Sequence, residues 1–152
     1  MDAIVEFCRS RTLGPIHRGL SANEVRRLLG PPDSTKSTYE EPSREKYRYG
    51  SMFLTLRSPS GEEPTGDTLE VTAIELSVTP LPLRLPEPIA EHLVHPWASA
   101  RAEDVLTVLR DSGLQVHLER EASTSGRQLQ VYRADGGSAI AVIDGSVSEI
   151  EG

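Results

Sequence analysis

The sequence predicts an α+β fold made of two similar helix-then-antiparallel-strands units, a pseudo-repeat in which the two units either share one core or stand apart. Three observations predict it. A short apolar helix pattern that ends in glycine occurs twice, at Ser21 to Gly30 and at Ser99 to Gly113, and β-prone runs follow each time. Thr79 to Pro88 carries prolines at 80, 82, 86 and 88; proline removes amide donors and favours extended backbone, so this stretch reads as a stiff connector. At 152 residues and 37% hydrophobic, the chain has the length for one compact core or for two small units that share one. The expected organisation is an N-terminal helix-strand unit at 1–78, a connector at 79–88 and a C-terminal helix-meander unit at 89–152.

Residues 2–9 place Ile4, Phe7 and Cys8 at helical spacing, a first short helix that Leu13-Gly14-Pro15 stops. Leu20-Ser21-Ala22-Asn23-Glu24-Val25 is a capping box with a hydrophobic staple: Ser21 accepts the Glu24 amide, Glu24 reaches back to the Ser21 amide, and Leu20 packs on Val25. Val25, Leu28 and Leu29 are then expected to face the core, while Gly30 closes the helix and Pro31-Pro32 forbids its continuation. Asp33 to Arg44 has no apolar period and reads as an exposed loop. Tyr47 and Tyr49 alternate with Lys46 and Arg48, and Met52, Leu54 and Leu56 alternate with Phe53, Thr55 and Arg57, which predicts two strands or one strand interrupted at Gly50. After a second polar loop at Ser58 to Asp67, Leu69 to Val78 forms a strand. Its apolar register changes between Val71 and Ile74, the mark of a bulge or of cover on both faces.

Beyond the connector, Ile89 to Val94 supplies a turn of helix, and Trp97 precedes the second capped helix. Val105, Leu106, Val108 and Leu109 form its buried stripe and Gly113 ends it. Leu114, Val116 and Leu118 alternate with Gln115, His117 and Glu119 as a half-buried strand. A turn at Ser123 to Gly126, a strand at Gln128 to Tyr132, a turn at Asp135-Gly136-Gly137 and a strand at Ala139 to Ile143 follow. Asp144-Gly145 is a two-residue hairpin signal that needs positive φ at both positions, and it leads into a last strand at Val147 to Ile150.

Net charge is −7; twelve acidic and ten basic residues lie up to Glu75, eleven and six beyond it, so the acidity concentrates in the second half. An acidic chain without clustered Lys or Arg among aromatics sets nucleic acid aside as a partner, and it leaves a basic protein partner or solubility alone as the readings of the charge. A single cysteine, Cys8, excludes an internal disulfide and a cysteine-based zinc cage and fits a reducing cytosol. Met1 to Ser10 has no basic n-region and no apolar stretch of signal length. No run reaches the roughly 20 apolar residues that span a bilayer, so a cytoplasmic protein with no membrane association is expected.

No reaction centre assembles from the motifs. His92 and His95 lie three apart beside Glu91, a spacing that suits a metal on a helix, but Pro96 holds His95 extended and no third ligand follows. His17 and His117 are isolated. G-x-S-x-G and both glycine-rich phosphate loops are missing, and Cys8 sits on the apolar side of its helix without a positioned base. The carboxylate pairs Glu40-Glu41 and Glu62-Glu63 lie in polar loops and read as solvated groups rather than as an acid/base pair. No metal or cofactor is therefore expected. Trp97, the single tryptophan, reads as a core anchor between the units or as an exposed binding residue, and Tyr47, Tyr49 and Arg48 form an aromatic and guanidinium cluster of the kind enriched in protein interfaces.

Gly19-Leu20-Ser21, Glu24-Val25, Leu28-Leu29-Gly30-Pro31-Pro32, Tyr49-Gly50 and the closing strand Leu69 to Leu76 make a recurrent small-domain pattern over residues 13–78. This pattern resembles the BamE/SmpA fold of outer-membrane assembly lipoproteins, and it is similar to cytosolic immunity-like proteins of actinobacteria. The lipid-bearing cysteine and signal of the lipoprotein family have no counterpart in these residues. The immunity-like resemblance implies a stoichiometric protein that binds and blocks a bacterial toxin.

The leading expectation is thus a non-enzymatic protein-protein interaction by an immunity or antitoxin-like inhibitor. Its contacts are expected at Glu40, Glu41, Tyr47, Tyr49, Glu62 and Glu63, with charge mainly accelerating encounter. The alternative is a small-ligand binding module with an apolar pocket near Trp97, and a third reading is an enzyme that uses the His92 and His95 region.

Overall fold

Short alternating segments cannot bury an apolar face alone, and here they bury it together, as one antiparallel sheet backed by short helices. The structure is a computed structural model and describes residues 2–37, 44–59, 63–79, 81–87, 89–93 and 99–152. Its helices are α1 (Ala3–Ser10), α2 (Ala22–Leu29) and α3 (Ala102–Asp111), with a 3-10 turn at Ala90–His92. Its strands are β1 (Ser34–Ser37), β2 (Arg44–Tyr49), β3 (Met52–Arg57), β4 (Glu70–Ser77), β5 (Val116–Thr124), β6 (Arg127–Ala134), β7 (Ala139–Ile143) and β8 (Ser146–Glu151). All eight form one sheet in the order β1-β2-β3-β4-β8-β7-β6-β5.

This architecture corrects the expectation of an α+β fold of two helix-then-antiparallel-strands units: the chain is mostly one antiparallel eight-stranded sheet with three short helices. The last strand of each half, β4 and β8, pair antiparallel with Glu75 opposite Glu151, Leu76 opposite Ile150 and Ser77 opposite Glu149. Both Leu76 and Ile150 are fully buried, in one hydrophobic cluster that takes residues from both halves of the chain. Helix α1, which the two-unit reading gives to the first half, is tied to the second: Arg11 Nε donates to the Gly136 carbonyl at 2.8 Å and Ser138 Oγ to the Phe7 carbonyl at 3.3 Å. The pairing edge of a strand leaves no trace in its own residues, so helix and strand patterns that repeat locally did not reveal that the two meanders join.

The local signals act as physical chemistry requires. Asp2 caps α1 by accepting the amides of Ile4 and Val5. Ser21 Oγ accepts the Glu24 amide at 3.1 Å, the Glu24 carboxylate accepts from the Ser21 hydroxyl at 3.2 Å in place of the expected Ser21 amide, and Leu20 and Val25 are both buried. On α2 the buried stripe is Ala22 and Val25, with Leu29 partly buried, while Leu28 is 44% exposed, against expectation. At 3.6 residues per turn, Leu28 lies about 90° from the centre of that stripe. Asp144 and Gly145 both take positive φ, 49° and 81°, as the β7–β8 hairpin needs. The register change on β4 is a bulge: Thr55 pairs with Ala73 and Leu56 with Val71, which leaves Thr72 as the extra residue.

Two further corrections concern the sheet edges. Ser34–Ser37, expected within a loop, is the edge strand β1; its side chains are all exposed and only backbone pairing with β2 defines it, so hydropathy carries no signal of it. Leu118 is 45% exposed because β5 is the opposite edge, with a neighbouring strand on one side only.

Candidate functional site

Residues directly opposite one another in an antiparallel sheet share a face, so the register separates a covered face from an open one. The covered face carries Tyr47, Met52, Leu54, Leu56, Ile74, Leu76, Ile140 and Ile150, all buried with the helices. On the open face one row of side chains crosses every strand: Ser34, Arg48, Phe53, Glu75, Glu151, Ala139, Arg133 and His117. A second row is Ser77, Glu149, Ala141, Val131 and Arg120. None of these thirteen side chains is buried.

The open face has three zones. Over β2 and β3, Lys46 Nζ lies 5.0 Å and Arg48 Cζ 5.9 Å from the centre of the Phe53 ring, so two cations share one aromatic ring. At the β4–β8 seam stand Glu75, Glu149 and Glu151, with Lys46 Nζ 4.0 Å from Glu75. Burial, the Glu75 charge, a hydrogen bond to Glu75 and the Glu151 charge, in that order, raise the Glu149 carboxyl above its ordinary value, and Lys46 opposes them. Over β6 and β7 lies a half-buried apolar zone of Leu129, Val131, Ala139, Ala141 and Ile143. Arg133 borders it, paired with Glu119 at 2.9 Å.

Few of the residues expected from sequence belong to this face. Tyr47 and Tyr49 are each 3% exposed on the covered face, which corrects their expected place at a contact surface. Arg26 stacks 5.0 Å from the Tyr47 ring and donates to its hydroxyl at 3.4 Å; the Tyr49 hydroxyl donates to the Gly30 carbonyl at 3.0 Å. They hold α2 and its C-terminal turn on the sheet, and burial pushes the Tyr49 phenol up to about 12. Arg48, one residue from each tyrosine, must point the other way because strand side chains alternate, so the expected Tyr-Arg-Tyr cluster is split between two faces. Glu63 is exposed in its loop, where its carbonyl accepts from Thr68 Oγ1 at 2.6 Å. Glu40, Glu41, Glu62, His95 and Trp97 lie outside the described residues.

His92 is exposed, 3.4 Å from Glu91, and among the described residues no group of three or more His, Cys, Asp or Glu side chains has metal-binding geometry. Cys8 is buried, and burial with the Asp2 charge pushes its thiol up to about 12, far from a thiolate at neutral pH. Among the described residues no helix is long and apolar enough to cross a membrane. Sequence reasoning missed Phe53, Glu75, Glu149 and Glu151 as a group. Alternation on β2 and β3 already opposed Phe53 to Leu54 and Met52, but the pairing of β4 with β8 that brings the carboxylates together is visible only in the fold. No protein-family model, curated protein or solved structure matches this chain.

Proposed function

We propose that the chain is a non-enzymatic inhibitor of the immunity or antitoxin type, and that it binds a basic protein partner on the open face of its sheet. The observation that supports this is the three-zone face itself: an aromatic ring under two cations, three carboxylates at the seam, and an apolar zone, on a sheet whose other face is covered. Eight strands about 4.8 Å apart and some 17–20 Å long offer roughly 700 Å², close to the roughly 800 Å² that each partner contributes to a standard stable interface. The three carboxylates draw a basic side chain of the partner to the seam at the centre of the face, and the apolar zone over β6 and β7 supplies the desolvated anchors. The resemblance of residues 13–78 to immunity-like proteins supports an inhibitor over a structural subunit.

The test is co-purification of the tagged chain with a stoichiometric partner, identified by mass spectrometry and followed by light scattering of the complex. Ala141→Arg in the apolar zone is expected to abolish the complex, and Glu103→Arg on the exposed side of α3 to leave it intact. Expression of the partner without the chain is expected to arrest growth. A partner whose binding survives Ala141→Arg but not Glu103→Arg would place recognition on the helices and sink this reading.

A further inference from the structure

At one end of the open face the chain builds a second feature, a cleft of about 350 Å³ whose lining includes Arg48, Phe53, Ser77, Leu81, Pro82 and Arg84. We infer that this cleft is a binding site for a compact apolar carboxylate, with the ring or side chain between Phe53 and Leu81-Pro82 and the carboxylate between the guanidiniums of Arg48 and Arg84. Its volume falls in the range of small-ligand sites, and Arg pairs are suited to carboxylates because their donors form a planar fork.

Both arginines are anchored close to the β2–β3 turn, Arg84 through its main chain and Arg48 through its Nε. The segment that bears Arg84 is strapped onto the β2–β3 turn: Arg84 N–H donates to Ser51 Oγ at 2.9 Å, and the Arg84 carbonyl accepts the Ser51 amide at 2.6 Å. Gly50 permits this approach, since a Cβ there would lie 2.1 Å from the Arg84 carbonyl oxygen. Arg48 spends its Nε on the Gly50 carbonyl at 3.1 Å and lies over Phe53, and among the described residues no hydrogen bond engages its terminal nitrogens. Asp33 also lines the cleft, but its carboxylate accepts the Gly50 amide at 2.7 Å. Two arginines against that one acid leave the cleft with a positive charge in a chain of net charge −7. A cationic cleft with an apolar wall favours a small anion with an apolar body.

This site does not depend on a protein binding the open face. The carboxylate belongs either to a free small acid or to the C-terminal residue of a peptide, and the probes separate the two. Amide NMR of the whole chain, read at Gly50 and Ser51, follows titration with phenylacetate, N-acetylphenylalanine and N-acetylphenylalanine amide at constant ionic strength. Saturable shifts with either acid and none with the amide support the site; preference for phenylacetate marks a free acid and preference for N-acetylphenylalanine marks a chain terminus. Arg84→Gln, whose strap contacts are all backbone, is expected to weaken binding roughly tenfold or more, while Ala141→Arg leaves it unchanged. Absence of saturable shifts, equal response to the amide, or unchanged binding in both Arg84→Gln and Arg48→Gln would overturn the inference.

Discussion

If β4 and β8 join the chain into one cooperative sheet, damage at their seam must lower the stability of both halves at once. Leu76 and Ile150 face each other there, and neither exposes any surface. Truncating a fully buried Leu or Ile to alanine costs about 2–5 kcal/mol, a large fraction of the roughly 5–15 kcal/mol that holds a domain folded. Because the two side chains are direct neighbours, Leu76→Ala and Ile150→Ala share one cavity, and the double variant departs from additivity by about 0.5–3 kcal/mol. Urea titration followed by circular dichroism measures the loss, and amide exchange at Leu54 in β3 and Ile140 in β7 reports each half. The expected result is one transition, with protection falling equally at both amides. A two-step transition, or a variant in which Leu54 keeps its protection while Ile140 loses it, would refute the single-sheet argument.

Glu149 is raised above the ordinary carboxylate value of 4.5 in the fold, so the folded chain binds more protons than the unfolded one in the pH window just above that value. Stability from this group is therefore full below pH 4.5 and is lost as pH rises through the raised value. Glu149→Gln is expected to raise the melting temperature near neutral pH, with the gain shrinking toward pH 4.5; a gain independent of pH would exclude titration as its cause. Gly50→Ala combines a φ of 59° with a Cβ 2.1 Å from the Arg84 carbonyl oxygen, and an expected loss of at least about 1–3 kcal/mol in urea melts checks the strap. Cys8 is expected to resist thiol reagents in the native state and to react fully in denaturant, a contrast that a timed labelling assay reads directly.

What was legible in the sequence was whatever one segment decides for itself. The Ser21 capping box, the Asp144-Gly145 hairpin, the break at Gly50 and the bulge on β4 are each set by residues within a few positions of one another, and each stands in the structure. What was hidden depends on partners distant in the chain. Tyr47 and Tyr49 looked like surface aromatics because their alternation with Lys46 and Arg48 shows two faces without saying which one α2 covers. β1 was hidden because a polar edge strand is held by its backbone alone. The candidate face was hidden for the same reason as the seam: Glu75 and Glu151 become neighbours only through pairing across 76 positions.

That pairing bears on the proposed function. Like charges directly opposite in a sheet destabilise it, and Glu75 faces Glu151 at a junction of only three registered pairs. Lys46 offsets part of the cost from 4.0 Å, but it also rests on Phe53 and so links the carboxylates to the aromatic end of the face. A basic side chain from a partner that reached the seam would relieve the repulsion and strengthen the junction with the fewest registered pairs in the same contact. On the proposed reading, binding and seam stability are then thermodynamically linked: the complex melts higher than the free chain, and Glu75→Gln with Glu151→Gln raises the stability of the free chain while it weakens the complex.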